Sequence, residues 1–179
     1  MTFRRALHAL YDAAAYLAAA FVLAIFVVMI GGSAMRMAGL KTGGSDDIVA
    51  WCCAAAGFLA MAHTFRHGDF VRVMLLLDRL SPKQAQRMEV VALVIGSLGV
   101  AYLFYAALIF VFESYDFGDM ANGMIAIPLW IPQSSFVLGT LLLLAAFVEQ
   151  LVDVLQGRRP LYVVAVEERH ARGDFSEDV

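Results

Sequence analysis

Few side chains in this 179-residue chain stand where they could do acid–base, redox or ligand chemistry in an apolar setting. They are His8, His63, His67 and His170, the adjacent Cys52 and Cys53, and the carboxylates that border long apolar runs, Asp12, Glu113, Glu149 and Asp153. Adjacent helical residues point about 100° apart, so Cys52 and Cys53 build neither a zinc site nor a disulfide framework. They read as two small apolar side chains. A haem inside a bundle needs histidines that face each other across spans. Only His63 lies near a span, and it reads as an interfacial histidine with a bonded neighbour. A proton relay needs carboxylates at mid-depth, and these four sit at or beyond the ends of the apolar runs. P-loop, HExxH and GxSxG motifs are absent. The expectation is a chain that is not an enzyme, with no catalytic or metal-binding residue and no cofactor of its own.

The elements that would position these groups follow from composition. Hydrophobic residues make up 61% of the chain and charged residues 16%, against roughly 45–50% and about 25% in a soluble domain. The mean hydropathy is +0.75. The net charge of −3 gives no reason to expect a nucleic-acid partner. Charges are clumped, leaving uncharged windows at 13–35, 48–65, 90–112 and 120–148. A helix crossing the hydrocarbon core needs about 20 such residues. The runs are continuous rather than alternating, which favours helices over a barrel. The predicted fold is an all-α integral membrane protein with four transmembrane helices, at about 13–35, 48–65, 88–112 and 128–150. Residues 1–156 form one membrane domain and 157–179 a charged cytoplasmic tail. Arg4 and Arg5 before an apolar run also suit a signal peptide, with "GGSA" at 31–34 as a cleavage site, but Ala13 to Ile30 exceeds the usual signal core of about 7–15 residues. The first span is therefore expected to be retained. Gly96 and Gly99, and small-residue pairs such as Ala50/Ala54, Ala56/Ala60 and Ser97/Ala101, are read as close helix contacts.

Loop charge sets the orientation. Taking alternate connections together, eleven of the thirteen Lys and Arg residues fall on one side of the membrane. The rule that basic residues stay inside then makes both termini cytoplasmic and turns the first and third connections outward. Trp51 and Trp130 stand near the outward ends of spans two and four, where indole anchors at the headgroup boundary.

Between spans two and three lies "FRHGDFVRVMLLLDRLSP", 65–82, too charged to cross a bilayer and too apolar for a free loop. At helical spacing Arg72 and Arg79 share one face, while Phe70, Val73, Met74, Leu77 and Leu80 crowd the other. An amphipathic helix at about 69–80 lying in the cytoplasmic interface is expected, with Phe70, Arg72, Leu76, Leu77 and Arg79 as anchors against lipid. Ser81, Pro82 and Gln84 form the start signal of the next helix.

Two stretches carry a family resemblance. They are "SDDIVAWCCAAAGFLAMAHTFRHGDFVRVMLLLDRLSP" at 45–82 and "DMANGMIAIPLWIPQSSFVLGTLLLLAAFVEQLVD" at 119–153. With four spans in order over roughly residues 8 to 156, the chain resembles the small, DctQ-like membrane subunit of tripartite ATP-independent periplasmic (TRAP) transporters. It departs at Phe70, where many members carry a histidine, and its tail after Gly157 has no matching counterpart. The resemblance implies a multi-pass protein of the bacterial inner membrane, acting as a scaffold in secondary active import of an organic acid or related solute. It implies two partners, a large membrane subunit that holds the sodium and solute sites, and a periplasmic solute-binding protein. Arg36, Lys41, Asp46, Asp47, Glu113, Asp116 and Asp119, on the outward connections, are the candidates for docking the latter. The competing readings are a membrane-anchor subunit of a haem- or quinone-linked enzyme complex, and a homo-oligomeric exporter.

Overall fold

A computed structural model of the chain describes residues 2–40, 43–67 and 82–157. The expected interfacial helix at 69–80 and the tail from 158 onward lie outside the described residues. Four long helices account for most of the rest: α1 (Thr2–Met37), α2 (Ser45–His67), α3 (Pro82–Asp116) and α4 (Trp130–Leu155). Each holds a segment long and apolar enough to span a membrane. In lipid the backbone must satisfy its own hydrogen bonds, and a continuous helix does so without help.

The helices outrun the uncharged windows that announce them. At 36 residues, α1 is about 54 Å long at 1.5 Å per residue, well beyond a hydrocarbon core of about 30 Å. It begins eleven residues before the expected span, because its polar first turns find partners on other helices, as described below. α3 starts at Pro82, a residue suited to the first helical turn because it has no N–H to leave unbonded. α1 and α3 end alike. Gly39 (φ 73°) and Gly118 (φ 64°) take the left-handed conformation. Leu40 N–H then donates to Met35 O at 2.9 Å, and Asp119 N–H to Ser114 O at 3.0 Å. This motif caps carbonyls that the last turn would leave open, and a glycine adopts it without a steric penalty. At the start of α2, Asp46 and Asp47 lie in the first turn, where carboxylates oppose the positive end of the helix dipole.

α2 packs on both α1 and α4, and α4 packs on α3, giving the spatial order α1–α2–α4–α3. The core follows that order. Leu59, Ala62 and Phe65 of α2 meet Leu142, Leu143 and Ala146 of α4, with Tyr11, Ala14 and Ala18 closing one flank and Leu93 the other. The tightest crossing is at Gly139, where an added Cβ would run into the Phe58 carbonyl group and lie 2.7 Å from the Phe58 Cβ. The Phe58 and Phe136 rings meet beside it at a tilt, 4.8 Å apart, and Phe65 and Phe147 stack at 4.0 Å. Gly96 also behaves as the spacing suggests, since its face is filled by the Phe147 ring. Gly99 does not, for nothing lies within 4 Å of its Cβ position.

The flanking helices keep large apolar side chains uncovered, among them Tyr16, Leu23 and Phe26 on α1 and Ile95, Leu98 and Phe112 on α3. In water such surfaces would demand a partner; in lipid they are ordinary. Polar side chains within the helices bond to their own backbone: Ser97 Oγ donates to Leu93 O at 2.6 Å and Thr140 Oγ1 to Phe136 O at 2.6 Å.

Candidate functional site

The polar chemistry of the described residues gathers at the two ends of the apolar bundle. At the end that carries both termini, Arg4 on α1 holds Asp153 on α4 through two hydrogen bonds, NH2 to Oδ1 at 2.6 Å and NH1 to Oδ2 at 3.2 Å. One α1 turn further on, His8 Nε2 lies 3.1 Å from Glu149 Oε1. The next turn brings Asp12, whose Oδ1 is 3.5 Å from His63 Nδ1 on α2. His63 stacks on His67 at 4.0 Å, and His67 Nδ1 is bonded to the His63 carbonyl at 2.9 Å. Arg66 lies over the Tyr11 ring, 4.8 Å from its centroid, and Tyr11 is fully buried. Three helices are thus pinned together by side chains within three turns of α1.

Glu149 and Asp153 keep the span-end position read from the sequence, but they are paired across the bundle rather than left to the interface. Both are buried, and so is Gln150 between them. The cause is register. Arg4 and His8 are four residues apart on α1, Glu149 and Asp153 four apart on α4, and the helices are antiparallel, so the steps match. The matched four-residue spacing of basic and acidic side chains was visible in the sequence, but nothing there paired α1 with α4. His63, read as a histidine with a bonded neighbour, stacks on His67 and faces Asp12, but its Nδ1 makes no hydrogen bond.

At the opposite end Gly43 and Gly44, just before α2, meet the 117–129 connection. Met124 N–H donates to Asp47 Oδ2 at 3.0 Å. The Asp47 carboxylate also fills the space beside Gly123, and Ile125 fills that beside Gly44, so neither glycine has room for a side chain. Within that connection, Ala121 N–H donates to Ile127 O and Leu129 N–H to Asp119 O, both at 2.9 Å, around a bridge between Met120 and Pro128. The segment is a closed, internally bonded loop. Tyr115 and Trp130 meet edge to face at 5.9 Å where it leaves and rejoins the helices.

Among the docking candidates, Arg36 and Asp46 form an exposed pair at 3.6 Å. Glu113, Asp116 and Asp119 are exposed, whereas Asp47 is half-buried and engaged with Met124. Trp51 is half-buried on the second turn of α2, and Trp130 opens α4. Lys41, Phe70, Arg72, Leu76, Leu77 and Arg79 lie outside the described residues. Three features escaped sequence reasoning: the Arg4–Asp153 and His8–Glu149 pairs, the tight crossing at Gly139, and the bond from Asp47 to the far loop.

No curated protein matches the chain. The family model described as "Tripartite ATP-independent periplasmic transporters, DctQ component" matches residues 25–157, which include the last third of α1, all of α2, α3 and α4, and both connections at the far end. Four apolar helices in the order the resemblance implied, with a family match over most of the chain, lead to one conclusion: the chain belongs to the DctQ component family of tripartite ATP-independent periplasmic transporters.

Proposed function

We propose that this chain is the stationary small permease subunit of a TRAP-type secondary transporter that imports an organic acid or related solute. In this reading it braces the large membrane subunit, which holds the sodium and solute sites, and offers the periplasmic binding protein part of its docking surface. In this reading both termini face the cytoplasm and the connections at the other end face the periplasm, an orientation that the excess of Lys and Arg on the terminal side supports.

The observation that supports this most is the placement of polar groups. A subunit that moves a charged solute needs polar or ionisable groups along a path through its middle. Among the described residues the polar contacts between helices sit at the ends of the bundle, and they tie α1, α2 and α4 to one another rather than leaving a path open. A cross-linked bundle with bare apolar flanks on α1 and α3 suits a protein that holds still beside a larger one.

Reconstitution tests this. Vesicles holding the chain alone should accumulate no solute, vesicles holding both membrane subunits should do so when binding protein and a sodium gradient are supplied, and the large subunit alone should be impaired. Uptake by this chain alone, or full uptake without it, would overturn the proposal.

A further inference from the structure

The loop at 117–129 leaves large apolar side chains in an unusual position. Phe117 is 77% exposed, Met120 47% and Met124 81%. They lie beyond the Tyr115–Trp130 pair, and such aromatic pairs mark the headgroup level. This part of the chain therefore stands in water, where exposed apolar groups on a rigid support mark a binding surface. Around them Glu113, Asp116 and Asp119 are also exposed, and residues 113–127 contain no Lys or Arg. Acidic groups at this density disfavour an anionic lipid surface and favour a basic protein surface. Methionine suits such a role because its unbranched, polarisable side chain adapts to a partner's relief.

Asp47 has a different part. Its carboxylate is turned toward the loop, accepting the Met124 N–H and closing over Gly123. A loop bonded across at Ala121–Ile127 and Asp119–Leu129, and pinned at its tip by Asp47, presents its methionines in one arrangement. Ordering before contact lowers the entropic cost of binding.

We infer that the 117–124 segment is the contact surface for the soluble binding protein, that it engages an apolar patch rimmed by Arg or Lys, and that Asp47 is a positioning residue rather than a contact. The inference rests on the functional reading above and assigns the chemistry of its docking site.

The two membrane subunits, co-purified and held in nanodiscs of neutral lipid, are titrated with the binding protein at several salt concentrations. Wild type is measured first; if it does not bind at all, the functional reading itself fails. Given wild-type binding, M120S/M124S should weaken it by about tenfold or more, the effect expected of central apolar contacts. D116N/D119N should weaken binding at low salt and reduce its salt dependence, and a salt dependence equal to wild type would overturn the basic rim. Asp47→Ala should weaken binding by a factor similar to that of M120S/M124S, whereas Asp47→Asn, which keeps an oxygen to accept the Met124 N–H, should bind like wild type. Equal losses in the Asn and Ala variants would make Asp47 a charge contact and overturn its assignment. Unchanged binding by M120S/M124S, or its loss of the large subunit instead, would overturn the docking surface.

Discussion

A single methyl group at Gly139 tests the packing that holds the bundle together. The Cβ of Gly139→Ala would lie 2.7 Å from the Phe58 Cβ and 2.6 Å from its carbonyl carbon. Carbon atoms settle at about 3.5–4.0 Å, so α2 and α4 must part by about 1 Å at their crossing. Phe58 offers no easy retreat, because the obstruction is backbone rather than the end of a flexible side chain. Overpacking of this kind costs about 1–3 kcal/mol. The better helix propensity of alanine returns up to about 1 kcal/mol, leaving a net loss of about 1–2 kcal/mol. For a chain of this size that lowers the Tm by about 2–8 °C. Gly99→Ala is the control, since it gains the same propensity with nothing within 4 Å; its Tm should hold or rise. The assay is thermal unfolding in detergent followed by tryptophan emission. Only two tryptophans are present, Trp51 on α2 and Trp130 at the start of α4, so the signal comes from the two helices concerned. If the two alanine variants shift Tm in the same direction and by similar amounts, the close crossing at Gly139 is refuted.

Three further outcomes follow from the ends of the bundle. Arg4→Leu should lower Tm more than Asp153→Leu, because the first takes two hydrogen bonds from a carboxylate that is 4% exposed while the second leaves a guanidinium that is 42% exposed and can turn to water. The charge swap Arg4→Asp with Asp153→Arg should recover much of the stability that Arg4→Asp alone removes, as a double-mutant melt would read. Gly118→Ala should cost about 1–2 kcal/mol, since alanine is strained at φ 64°; a Tm equal to wild type would mean that the turn ends α3 in another way.

Lipid solvation made the architecture legible from composition. Four uncharged windows of membrane length can be little other than four helices, and the stretches at 45–82 and 119–153, with the spans in order, carried the family resemblance. What the sequence hid were the contacts between helices. Alanine and glycine are so common here that Gly139, the tightest crossing, looked no different from Gly99, which faces open space. Ionisable residues were read by distance from a span centre, which put Glu149 and Asp153 at or beyond a span end and Arg4 and His8 ahead of the first span, but did not pair them. Asp47 was read as a loop charge pointing outward, since nothing in its neighbours announces a hydrogen bond to a residue 77 positions away. Each of these depends on where two distant segments meet, and a single sequence carries no direct record of that.

The claim that this chain holds still while its partner moves can be put to the test by locking it. In a background with Cys52 and Cys53 replaced by alanine, cysteines at Phe58 and Phe136, whose rings are 4.8 Å apart across the α2–α4 seam, are joined by a short, reductant-cleavable thiol reagent. Solute uptake by the complete transporter should continue at the rate of the same variant before joining. Uptake that stops when α2 and α4 are joined, and returns when the link is cut, would show that the bundle must flex and would contradict the account.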